Sequence, residues 1–165
     1  QGDVNKRYTR HDYRFPLIRL ADLYLLYSEA LNEVKGQPDN EVYKWIDRVR
    51  INAGLKGVVE SWATSSKFPN KPTTQEGMRE IIRKERLIEL AFEGQRFHDL
   101  RRWKIADQYW SLPVLRYNYS RDIEKTYLAE PYTEIKREVT FRDYLYPISD
   151  YDLRINHNLV QTYGW

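Results

Sequence analysis

Between residues 16 and 35 the apolar side chains follow the period of an α-helix, and this constrains the chain more than any other feature. Leu20, Leu23, Tyr24, Tyr27, Ala30, Leu31 and Val34 fall at i, i+3, i+4, i+7, i+10, i+11 and i+14, the apolar stripe of an amphipathic helix. Pro16 suits a first-turn position, and Gly36 with Pro38 is a stop signal. A second helix is expected over 40–53. Asp39 or Asn40 caps it, Val42, Ile46, Val49 and Ala53 form its stripe, and Gly54 closes it in a left-handed conformation. Two helices joined by about five residues make an antiparallel hairpin. One hairpin cannot bury both of its faces, so it wants neighbours to stack on, the logic of tetratricopeptide-type repeats. No second copy of the hairpin occurs in these 165 residues, and the chain is expected to be one part of a longer polypeptide.

Residues 55–72 read as a loop. Thr73 to Glu76 has the T-x-x-E form of a capping box, which opens a third helix over about 74–93. Met78, Ile81, Ile82, Ile88, Ala91 and Phe92 mark its buried side, and Gly94 ends it. A short helix then carries Phe97, Leu100 and Trp103. Residues 109–140 are Tyr-rich and irregular, interrupted by Pro113 and Pro131, and 144–148 is extended before a turn and a tail. The expected fold is mainly α, of the α-α superhelix type: a tetratricopeptide-like hairpin plus further helices with long ordered loops. Residues 1–165 are taken as a single domain.

Composition removes several alternatives. Aromatic residues make up 15% of the chain, far from the aromatic-poor make-up of disordered sequences. There is no cysteine, which excludes disulfides, thiolate metal sites and cysteine nucleophiles. The net charge is +3 with mixed signs along the chain, not the single basic patch of a nucleic-acid binder. The longest apolar run, 20–31, is broken by Asp22, Ser28 and Glu29 and falls short of the roughly 18–20 residues that span a bilayer. No transmembrane segment is expected.

Residue patterns for chemistry are sparse. His11, His98 and His157 are far apart and form no metal-ligand spacing, so no metal is expected. Phosphate-binding and dinucleotide glycine motifs are absent, as is a nucleophile elbow, and no cofactor is expected. Glu85, Glu89 and Glu93 share a helical face, but Arg79, Arg83, Lys84 and Arg86 lie on the same turns. Basic neighbours keep carboxylates ionised, whereas a glycosidase acid needs a raised pKa. These carboxylates read as ion pairs, with Glu80 and Lys84 a plain i,i+4 pair, and no catalytic residue is assigned. The run Arg96, Asp99, Arg101, Arg102 and Lys104 reads as cations gathered at a helix C-terminus, with Asp99 and Arg102 paired.

The aromatic residues between helices are the remaining candidates. Trp62, Tyr109, Trp110, Tyr117 and Tyr119 sit beside turn formers, where helix packing does not account for them. Flat rings can stack on the C–H faces of sugars, or they can pin long loops to the core. Four are singled out as ligand contacts: Trp62, Trp110, Tyr117 and Tyr119. Ser61, Ser65, Ser111, Asn118 and Ser120 lie close by as hydrogen-bonding neighbours. One stacked ring contributes on the order of 1–2 kcal/mol, so a chain offering one or two rings holds a sugar only in the millimolar range.

Four stretches carry a resemblance. Residues 19–33, RLADLYLLYSEALNE, are similar to the R-L-A-E-x-Y-L-x-Y-A-E-A-x-N-E helix of the SusD/RagB family, and residues 48–55 to its V-R-x-R-A-G-L. Residues 81–103, IIRKERLIELAFEGQRFHDLRRW, match the family's I-R-x-E-R-R-x-E-L-A-F-E-G-x-R-F-x-D-L-R-R-W almost throughout. Tyr144 to Ile148, Asn158 to Gln161 and the terminal Gly164-Trp165 resemble its closing Y-L-Y-P-I-P…N-P-x-L-x-Q-N-P-G-W. Ser149, His157 and Thr162-Tyr163 depart from that closing pattern, and His98 stands where Phe is common. The resemblance implies the C-terminal part of an outer-membrane, surface-exposed, lipid-anchored nutrient-binding protein. Such proteins bind oligosaccharides, or in some members peptides, without cleaving them, and pass them to a TonB-dependent transporter of the SusC type. The motifs themselves read as scaffold, so no binding residue is carried over. A second reading makes this portion a scaffold that contacts the transporter while the ligand site lies elsewhere.

Overall fold

A computed structural model of the chain describes residues 16–116 and 132–165. They fall into two compact units, 1–91 and 92–165.

The first unit is helical. Helix α1 spans Leu20–Lys35 and stops at Gly36, whose φ of 68° is left-handed. Pro16 stands outside its first turn. Arg19 is extended instead, with its guanidinium donating to the Glu89 carboxylate at 3.1 Å and the Glu89 carbonyl at 2.8 Å. Helix α2 spans Asn40–Asn52, and the Asp39 carboxylate accepts the Glu41 and Val42 N–H groups. The two form the expected hairpin, but α1 turns a different face inward. Leu25, Ser28, Glu29 and Asn32 are buried, while Leu20 is 65% and Val34 85% exposed. Of the expected stripe, Tyr24 and Leu31 pack against the core. Polar bonds explain the rotation. Ser28 donates to the Val42 carbonyl at 3.0 Å, and the Asn32 amide donates to the Gln75 carbonyl at 3.0 Å.

The expected 55–72 loop contains a helix, α3, Val58–Ser65. It is too short for periodicity to reveal, and α2 organises its start. The Asp47 carboxylate accepts the Val58 N–H at 2.6 Å. Arg50 donates to the Lys56 carbonyl and to the Ser61 hydroxyl. A 3₁₀ turn at Lys71–Thr73 then leads into helix α4, Gln75–Glu89. Its cap is Thr74, whose hydroxyl accepts the Gly77 N–H. Thr73 lies one residue earlier, inside the 3₁₀ turn, with its hydroxyl donating to the Asn70 carbonyl. Met78, Ile81 and Ile82 of α4 join Leu25, Val42, Ile46, Val49 and Val58 in one core. The helix ends earlier than expected, so Ala91 and Phe92 fall outside it and are exposed; Ile88, in its last turn, is exposed too, and Leu90 is buried instead. Phe92 and Gly94, between α4 and the next helix, both have positive φ.

In the second unit Gly94 precedes α5, Gln95–Arg102, rather than ending α4. Helix α6, Ala106–Trp110, follows. The region expected to be irregular holds an antiparallel pair, β1 Val114–Arg116 and β2 Tyr132–Ile135, with Leu115 opposite Thr133. A 3₁₀ turn at Phe141–Tyr144, closed by a Thr140–Asp143 capping box, replaces the start of the expected extended piece. A short helix α7, Asp150–Ile155, fills the expected turn. Gln161 bonds both the N–H and the carbonyl of Ile148, which fixes the tail to the 145–148 segment.

Candidate functional site

The second unit contains a cleft of about 630 Å³. Phe97 and Arg101 reach it from α5, Trp110 from the end of α6, and Tyr146 and Trp165 from the C-terminal segment. Helical spacing sets the first pair, since positions i and i+4 share a face. The C-terminal segment is held by polar bonds. Arg101 donates to the Tyr144 carbonyl, the Tyr144 hydroxyl donates to Asp107 at 2.6 Å, and the Trp165 indole N–H donates to the Arg142 carbonyl at 3.2 Å.

The rings are ordered around Arg101. Phe97 and Trp110 stack with centroids 5.1 Å apart and planes 16° apart. The Arg101 guanidinium lies 3.9 Å from the Tyr146 centroid and 5.0 Å from that of Phe97. Arg142 covers Trp165 at 5.0 Å. The cleft also carries Arg137, Glu138 and Asp143. Hydrogen bonds from the Thr140 N–H and hydroxyl hold the Asp143 carboxyl below its usual range. It is therefore ionised near neutrality and unsuited to act as a general acid.

Trp110 thus lies in a concave aromatic wall, at the end of a helix rather than in a loop. Trp62 lies on α3, also not in a loop, and packs half-buried against the core. The Lys71 ammonium is 5.4 Å over its ring. Its surroundings are a shallower depression of about 530 Å³ shared with Ser61, Ser65 and Phe68. Tyr117 and Tyr119 lie outside the described residues. Tyr109 is covered by the Arg96 guanidinium at 4.6 Å. Phe97, Arg101, Tyr146 and Trp165 were missed as site residues. Their signal was present in the R-F-x-D-L-R, Y-L-Y-P-I and G-W motifs, which read as scaffold.

The candidate carboxylates of α4 are ion-paired across the unit. Glu85 pairs with Arg50 and Glu89 with Arg19. Glu80 pairs with Lys71 at 2.5 Å, not with Lys84, and Asp99 takes Arg102 at 2.9 Å. Among the described residues no three His, Asp or Glu gather in a metal-holding group. No described helix is long and apolar enough to cross a membrane.

The chain is mainly helical, with a tetratricopeptide-like hairpin in its first unit and an aromatic cleft in its second. The model of the SusD family matches residues 2–165, and the chain belongs to that family. It is 39% identical over 103 residues to the SusD-like protein P25 of Formosa agariphila, covering 62% of this chain and 18% of that one. To the SusD-like protein P2 of the same organism it is 31% identical over 114 residues, 67% and 21% of the two chains. Among solved structures it resembles a SusD-like protein from Bacteroides fragilis, with TM-score 0.66, 29% identity and coverage of 90% and 25%. A SusD homolog from Bacteroides thetaiotaomicron gives TM-score 0.61, 28% identity and coverage of 99% and 31%. The chain spans about a fifth of the length of the curated relatives it matches.

Proposed function

We propose that the protein captures nutrient glycans at the cell surface, without cleaving them, for delivery to a TonB-dependent outer-membrane transporter of the SusC type. In this reading it is held at the outer membrane by a lipid anchor. The observation that carries the reading is the cleft. Phe97, Trp110, Tyr146 and Trp165 surround it with flat rings, and sugar recognition needs such rings flanked by hydrogen-bonding groups. Trp110 is the ring proposed to contact the sugar. Trp62, its own ring against the core, is proposed as a lesser contact. Family membership supports the same reading.

Native affinity electrophoresis through gels containing plant, algal and host polysaccharides tests it. At least one polysaccharide is expected to retard the protein, and Trp110→Ala is expected to remove the retardation. Unchanged mobility in every gel would overturn the glycan reading. A second reading, in which this portion serves as scaffold and contacts the transporter, is favoured by the exposed apolar line Leu20, Leu23, Tyr27 and Val34 on α1. Co-purification with the transporter that survives Trp110→Ala but not Tyr27→Glu would support that role.

A further inference from the structure

The charges around the aromatic cleft are unbalanced, and the imbalance has a direction. Arg101 sits between Phe97 and Tyr146 with its guanidinium against both rings. One of its five N–H donors goes to the Tyr144 carbonyl. Among the described residues no carboxylate pairs with it. Arg137 enters the same cleft and is exposed, and Arg142 adds a third guanidinium over Trp165. Two carboxylates face them. Asp143 is ionised and held by Thr140, and Glu138 is the other, so three guanidiniums stand against two carboxylates.

A half-buried guanidinium beside open space, lacking a counter-ion, favours an anionic occupant. Its planar fork matches a carboxylate or a sulfate with two parallel hydrogen bonds. The adjacent rings favour a pyranose face. We propose that the cleft takes an anionic sugar, its ring against Trp110 and its carboxylate or sulfate ester held by Arg101 and Arg137. The inference rests on the glycan-binding reading and names the substrate class within it.

Four monosaccharides isolate the charge without depending on linkage: glucuronic acid, its neutral amide, glucose 6-sulfate and glucose. Titrations followed by saturation-transfer NMR are expected to show the charged sugars binding at least about tenfold tighter than their neutral counterparts. The acid and the sulfate, compared with each other, tell which group the cleft prefers. Arg137→Gln removes an exposed side chain and is expected to cut that preference several-fold. Lys84→Gln, with the same charge change at an exposed position of α4, is expected to leave it unchanged. Arg101→Lys keeps the charge but loses the fork, and is expected to bind the charged sugars more weakly than the wild type. Equal binding of charged and neutral sugars, lost in Trp110→Ala, would overturn this inference and leave the glycan reading standing. An equal loss of preference in Arg137→Gln and Lys84→Gln would also overturn it, as a net-charge effect. Binding of none of the four would overturn this inference, and the polysaccharide gels then decide separately whether the glycan reading stands.

Discussion

The Trp110 indole stacks on the Phe97 ring at 5.1 Å with the planes only 16° apart. The partner ring fixes the indole orientation, so little side-chain entropy remains to be lost when a sugar lands on it. Trp110→Ala is expected to weaken polysaccharide retention at least about tenfold, the loss of one stacked ring. Trp62 supports the core, so Trp62→Ala should act mainly on stability, by about 2 kcal/mol. Affinity electrophoresis and urea unfolding of both variants separate the two roles.

Arg50 and Glu85 form an ion pair with side chains only 10% and 15% exposed. Arg50 also holds the Lys56 carbonyl and the Ser61 hydroxyl at the start of α3. Arg50→Met leaves Glu85 charged and shielded from water, and should destabilise by about 3–5 kcal/mol. The double variant Arg50→Met, Glu85→Leu should recover part of that. Urea midpoints of the three proteins check it. A double variant no more stable than the single one would show that the bonds to α3 matter more than the pair.

Gly77 lies in α4, where Gly→Ala ordinarily gains about 1 kcal/mol. Here an added Cβ would stand 2.1 Å from the Lys71 carbonyl oxygen and 2.8 Å from the Thr74 hydroxyl. The backbone oxygen cannot retreat cheaply, so Gly77→Ala is expected to destabilise by about 1–3 kcal/mol. Thermal unfolding of this single variant gives the sign.

Much of the first unit was legible because long amphipathic helices announce themselves. The hairpin and the α4 core positions Met78, Ile81 and Ile82 followed from spacing, and residue type narrowed the cap of α2 to Asp39 or Asn40. The inward face of α1 did not, because Ser28 and Asn32 are drawn in by bonds to Val42 and Gln75 rather than by apolar area. Helix α3 was hidden because its start depends on Asp47 and Arg50, residues of another helix. The cleft was half legible. Trp110 stood out beside turn formers and Phe97 and Arg101 share a helical face, whereas Tyr146 and Trp165 join them only through contacts between residues more than forty positions apart.

Glu33 and Arg79 form a two-pronged pair, with Nε 2.7 Å from Oε1 and Nη2 2.6 Å from Oε2. The Arg79 hydrogen bond is the main reason the Glu33 carboxyl titrates below its ordinary 4.5. A lowered folded pKa gives stability that is present above about pH 4.5 and is lost as pH falls through the folded value. Both side chains are substantially solvated, so the contribution is under about 1 kcal/mol. Glu33→Gln should therefore narrow the gap to wild type as unfolding is moved from pH 7 to pH 3. A gap that is constant across this range would show that the pair contributes nothing through ionisation.

Capture without cleavage at the aromatic cleft is tested most directly by a crystal structure of the protein soaked with an oligosaccharide prepared from the polysaccharide that retards it. The account predicts an intact oligosaccharide with a pyranose ring in van der Waals contact, about 4 Å, with Trp110. A sugar bound only outside the cleft, or density for cleaved product, would contradict it.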